Sequence, residues 1–150
     1  MPLKERITDD MKSAMRSGEK ERLGTIRMIM AGIKQREVDE RIVLDDGQVL
    51  SVIEKMIKQR REAIAQFEAG GRSDLVARES SELAQLAEYL PQQLSEAELD
   101  ALIAEAVSTT GASSVKDMGK VMGLVKTKAQ GRADMSVVSA RIKAKLGPQA

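Results

Sequence analysis

Apolar residues recur every three to four positions from Leu3 to Leu146, and no stretch alternates apolar and polar side chains with a period of two. A helix turns about 100° per residue, so this spacing gathers apolar side chains into one stripe along each helix and leaves a strand nothing to bury on one face. The fold class is therefore expected to be all-α. Leu3, Ile7, Met11 and Met15 define a first helix that stops near Ser17 and Gly18, and Leu23, Ile26, Met30 and Ile33 define a second. Asp45, Asp46 and Gly47 read as a break. A third helix carries Val49, Ile53, Met56, Ile57, Ile64 and Phe67 and ends at Gly70 and Gly71, residues suited to helix termini. A fourth, with Leu75, Leu83, Leu86 and Leu90, is expected to run to Pro91.

Proline disfavours helical geometry at the residue before it, so Leu90 and Pro91 mark a boundary. Ser95 followed by Glu98 is a capping box that starts a new helix, with Leu99, Leu102, Ile103 and Val107 on its apolar side and Gly111 at its end. Ser114 with Asp117 opens a sixth helix through Gln130, and a seventh begins near Asp134 and stops at Gly147 and Pro148. The expected plan is an amino-terminal four-helix domain over 1–91 and a carboxy-terminal three-helix domain over 95–150.

The chain has no histidine and no cysteine, which removes most general bases that work near neutral pH, most zinc ligands and all thiol nucleophiles. No catalytic residues, cofactor or metal are expected. Acidic pairs such as Asp9 with Asp10 and Asp45 with Asp46 suit helix starts, where the helix dipole favours negative charge. One Phe, one Tyr and no Trp argue against stacking single-stranded bases on aromatic platforms, so a bound nucleic acid would be met through its backbone and shape. No apolar run approaches the roughly 20 residues that span a bilayer, and MPLKERITDD lacks the apolar core of a secretory signal. No membrane association and a cytoplasmic location are expected.

The formal charge of +1 conceals an asymmetry. Residues 1–94 carry 16 basic and 17 acidic side chains, residues 95–110 none and four, and residues 111–150 eight and two. Positive charge concentrated at one end suggests an anionic partner there. Two further features need a reason. Arg60 falls on the apolar face of the third helix and Glu79 on that of the fourth, so an Arg60–Glu79 ion pair is expected across a hairpin turning at Gly70 and Gly71, with Glu82 as alternate partner. Gly119 and Gly123 sit inside the sixth helix, where each costs roughly 1 kcal/mol relative to alanine. They lie away from the stripe of Met118, Val121, Met122 and Val125, among Lys116, Lys120, Lys126 and Thr127. Such a flat, positive surface could approach a sugar-phosphate backbone closely, and Lys128, Arg132, Arg141, Lys143 and Lys145 would extend it. A protein partner packed on the glycine face is the alternative, with the nine methionines offering adaptable apolar contact.

Five segments in order, LGTIRMIMAGIKQREVDER (Leu23 to Arg41), KMIKQRREAIAQFEAGGRSDL (Lys55 to Leu75), EYLPQQLSEAEL (Glu88 to Leu99), KDMGKVMGLVK (Lys116 to Lys126) and GRADMSVVSARIKAKL (Gly131 to Leu146), resemble the YqeY family. That family is related to the carboxy-terminal helical and tail region of the B subunit of the aspartyl/glutamyl-tRNA amidotransferase, which transfers glutamine-derived ammonia onto misacylated tRNA. The resemblance implies a helical amino-terminal domain, a three-helix tail-like domain and tRNA or another structured RNA as the anionic partner. It does not carry over catalysis. The ATP-using domain of that subunit precedes the shared region and the glutaminase is a separate subunit. A label of carbon-nitrogen ligase with glutamine as amido-N-donor would therefore describe this chain only as a component acting with partner subunits.

Overall fold

The structure is a computed structural model in which residues 1–147 are described. It comprises α1 (Leu3–Ser17), α2 (Lys20–Glu40), α3 (Asp46–Ala69), α4 (Ser73–Ala87), α5 (Glu96–Thr110), α6 (Met118–Ala129) and α7 (Met135–Leu146), with a 3-10 turn at Val115–Asp117. There is no strand among the described residues, so the chain is all-α. Pro148, expected to help stop α7, lies outside them. The chain separates into two compact units, Met1–Leu90 and Pro91–Ala150. Among the described residues no helix is long and apolar enough to cross a membrane.

Helix ends follow local chemistry. Gly18 (φ 70°) and Gly111 (φ 66°) adopt the left-handed conformation that returns backbone N–H groups to the last carbonyls of α1 and α5. Ser95 and Glu98 form the reciprocal capping box of α5. Asp45 and Gln48 form a second at the start of α3, so Asp46 and Gly47, expected to be part of a break, instead build the first turn. The interruption falls earlier, at residues 41–45, where Arg41 takes a left-handed φ of 56°. Asp46 Oδ1 accepts the backbone N–H of Leu3 at 2.9 Å, which ties α1 to α3. The fourth helix stops at Ala87, short of Pro91, because the chain tightens into turns in which the N–H groups of Tyr89 and Leu90 donate to the carbonyls of Leu86 and Ala87. The sixth helix likewise opens more tightly than its spacing predicts, with Ser114 Oγ accepting the Lys116 N–H ahead of the 3-10 turn.

In the first unit Ile7, Ile26, Ile29, Val49, Ile53 and Leu86 are fully buried, with Ile33, Leu44, Ile57 and Tyr89 around them. Burial thins toward the far end of the α3–α4 hairpin. Beyond Ile57 no α3 residue is fully buried and on α4 only Leu86 is, so Ile64, Phe67 and Leu75 are half-covered. Arg60 sits where that thinning begins. Its Nε lies 2.9 Å from Glu82 Oε2 and 3.2 Å from Glu79 Oε2, with all three side chains 14–22% exposed. The single Nε hydrogen is donated to Glu82, and the buried Glu79 Oε2 has no hydrogen-bond partner, so Glu79 is held by charge alone.

Tyr89 closes the other end. Its hydroxyl donates to Asp10 Oδ2 at 2.7 Å, and the Arg6 guanidinium lies 5.1 Å from the ring centroid. Burial first, and then the hydrogen bond to Asp10, pushes the phenol well above its ordinary pKa. Tyr89→Phe should destabilise the protein by about 2 kcal/mol, the value of a hydrogen bond to a charged group. Urea denaturation followed by circular dichroism checks this, and an unchanged midpoint would show that Asp10 is satisfied without the phenol.

Candidate nucleic-acid interface

The second unit buries Val121, Val125, Val138 and Ile142 completely, with Leu99, Ile103, Ala106 and Ala129 completing the core. Because α6 commits Val121, Val125 and Ala129 to that core, the opposite side of the helix faces solvent. Lys116, Gly119, Lys120, Gly123, Lys126, Thr127 and Lys128 are all exposed. A Cβ built on Gly119 or Gly123 would meet nothing within 4 Å. Neither glycine has a positive φ, so neither is required by backbone geometry or by packing inside the unit. Their helix-propensity cost is not offset by anything in the fold itself.

The basic residues separate into two sets. Arg141 spans two α5 carboxylates, Nη1 at 2.8 Å from Asp100 Oδ1 and Nη2 at 3.2 Å from Glu96 Oε1. Lys128 Nζ is 3.5 Å from Glu105 Oε1, and Arg132 Nη2 is 4.0 Å from Glu98 Oε2. Arg132 also works for the fold: its Nε donates to the Gln92 carbonyl at 2.9 Å and its own carbonyl accepts the Leu94 N–H at 2.8 Å. By contrast, Lys116, Lys120, Lys126, Lys143 and Lys145 form no ion pair among the described residues. Each paired base is partly neutralised by its carboxylate, whereas each unpaired lysine presents a whole charge. Asp117 tempers the start of α6. The Ser113 N–H above all, at 3.1 Å, holds its carboxyl below the usual carboxylate range, with Lys120 acting in the same direction.

Sequence reasoning placed Lys128, Arg132 and Arg141 with the free lysines and missed their α5 partners. The signal was present: the four acids of residues 95–110, unaccompanied by any base, are the four carboxylates that now hold these three cations. What the spacing alone could not supply was the side on which α5 would lie.

A family model described as Yqey-like protein matches residues 4–146. The chain belongs to the YqeY-like family. Relatives in the same family extend across most of its length. It is 35% identical over 143 residues to "Altered inheritance of mitochondria protein 41, mitochondrial" of Lachancea thermotolerans, covering 91% of this chain and 76% of the relative. The protein of the same name from Pyrenophora tritici-repentis is 34% identical over 145 residues, covering 95% and 80%. These names overturn the expectation of a cytoplasmic location, since the relatives are designated mitochondrial. The expectation had rested on the lack of a secretory signal core, a feature that does not distinguish among compartments.

Proposed function

We propose that this YqeY-like chain is a non-catalytic, tRNA-binding accessory protein whose contact surface is the solvent face of α6. The observation that carries this reading is the bare helix surface at Gly119 and Gly123, with nothing within 4 Å of either added Cβ, set among the unpaired lysines 116, 120 and 126. With no side chain at these two positions, the helix lets a sugar-phosphate backbone come closer there than any other residue would, and the lysines around them neutralise phosphates. The site contributes contact and charge and no acid, base or nucleophile poised for chemistry, so any part in amidation would be played through partner subunits.

Purified protein titrated with bulk tRNA across a salt series tests the proposal. Saturable binding should weaken with salt at a logarithmic slope near −3, corresponding to about three or four neutralised phosphates. Lys116→Glu with Lys120→Glu should abolish binding at physiological salt and bring any residual slope toward about −1. Binding that ignores both salt and the double reversal would remove α6 from consideration. A protein partner is the second reading, favoured by Leu124, which is 41% exposed beside a recess of about 130 Å³ where Leu102, Ala106 and Val125 are joined by Glu105 and Lys128. That contact would persist at salt concentrations that release RNA.

A further inference from the structure

We infer that the RNA surface runs across the α6–α7 seam, away from α5, and that Lys143 is a phosphate-contacting residue on its α7 side. The inference rests on the tRNA reading above and comes from the ion pairs, which fix the direction in which each helix faces. On α7 the core is met by Val138 and Ile142, and Arg141 reaches Glu96 and Asp100, so the flank bearing Arg141 is the α5 side. Lys143 lies two residues, about 200°, further around the helix and therefore belongs to the opposite flank, beside α6. On α6, Lys128 reaches Glu105 and marks the α5 side. Gly119, Gly123 and Lys126 turn the other way around the Val121–Val125 stripe, toward α7.

The seam thus carries Lys126 from α6 and Lys143 from α7, both exposed and unpaired, with the open glycines between helix face and solvent. Every acid of residues 95–110 lies on α5, beyond the opposite flanks. A polyanion approaching the α5 side would meet Glu96, Glu98, Asp100 and Glu105 first and would have to displace them from Lys128, Arg132 and Arg141. Approach across the seam meets neither obstacle. The α5 carboxylates that hold Lys128, Arg132 and Arg141 therefore give the interface a direction, with α5 as its repelling edge.

Single substitutions in the full chain, each titrated with bulk tRNA over the same salt series, separate the two sides. Lys143→Ala should weaken binding and reduce the magnitude of the salt slope by about 1, the signature of one lost phosphate contact. Lys128→Ala should change affinity and slope less than Lys143→Ala does, because its charge is already partly neutralised by Glu105. All three residues that the experiment compares, Lys126 being the third, are exposed, so helix content and melting temperature should match the parent protein. An unaltered slope for Lys143→Ala, or a loss for Lys128→Ala equal to that for Lys126→Ala, overturns the directional inference while leaving RNA binding intact. If the parent protein itself binds no tRNA, the proposed function and this inference fall together.

Discussion

Replacing Gly119 and Gly123 together with alanine should make the protein more stable and a poorer RNA binder. Each glycine lies inside α6 with ordinary helical backbone angles, and a Cβ at either position enters open space. Alanine therefore gains the full propensity difference, roughly 1 kcal/mol per site, with no steric charge against it. Two sites give about 2 kcal/mol, and for a unit of this size each kcal/mol moves the melting temperature by roughly 4–8 °C. An increase on the order of 10 °C in the transition of the second unit is expected by calorimetry. The same two methyl groups stand where the backbone of the RNA would lie, so tRNA affinity should fall although no charge has changed and the salt slope is retained. Stabilisation accompanied by loss of binding would show that the glycines serve the partner at the expense of the fold. Stabilisation with binding intact would leave the lysines as the contact and dismiss close approach. A loss of stability would mean that the glycine face is packed in the folded protein, contrary to the open space around it.

How much of this could be read beforehand depends on the range of the interaction concerned. Helix stops at Gly18 and Gly111 and the capping box at Ser95 and Glu98 depend on residues within one turn of each other, and these were legible from spacing. The start of α3 was misplaced for a local reason: Asp45 and Asp46 together resemble a turn, but the reciprocal bond with Gln48 turns Asp45 into a cap and draws Asp46 and Gly47 into the helix. Tyr89 is different. Its hydrogen bond joins it to Asp10, 79 positions away, and no periodicity in the sequence announces that pairing. The α6 face belongs to the legible class, because a wheel shows which residues oppose the apolar stripe. The division of cations between bound and free belongs to the other class. It required knowing that Arg141 would meet Asp100, 41 positions earlier, and that the acidic helix would lie against one flank and not the other.

The Arg60 cluster offers the largest expected loss of stability. Arg60→Met should cost the first unit about 2–3 kcal/mol, somewhat below the roughly 3–5 kcal/mol of a fully buried pair because these side chains retain some exposure. The mechanism is the charge left behind. Glu79 and Glu82 lie three residues apart on one side of α4, and without the guanidinium they repel each other in a poorly hydrated position, with the buried Glu79 Oε2 already lacking a hydrogen bond. The consequence is a strong dependence on context. Arg60→Met combined with Glu79→Met and Glu82→Met removes all three charges and fills the half-covered hairpin with apolar volume, so the triple variant should return to within about 1 kcal/mol of the parent. The single tyrosine of the chain, Tyr89, lies in this unit and gives a fluorescence signal for urea denaturation that reports on it selectively. A triple variant less stable than Arg60→Met alone would mean that the carboxylates are stabilising without their arginine, and a single variant costing under about 0.5 kcal/mol would place the cluster among ordinary surface pairs. Strong loss with recovery in the triple variant would identify the cluster as a charge arrangement that fixes the register of α3 on α4 where the apolar core has run out.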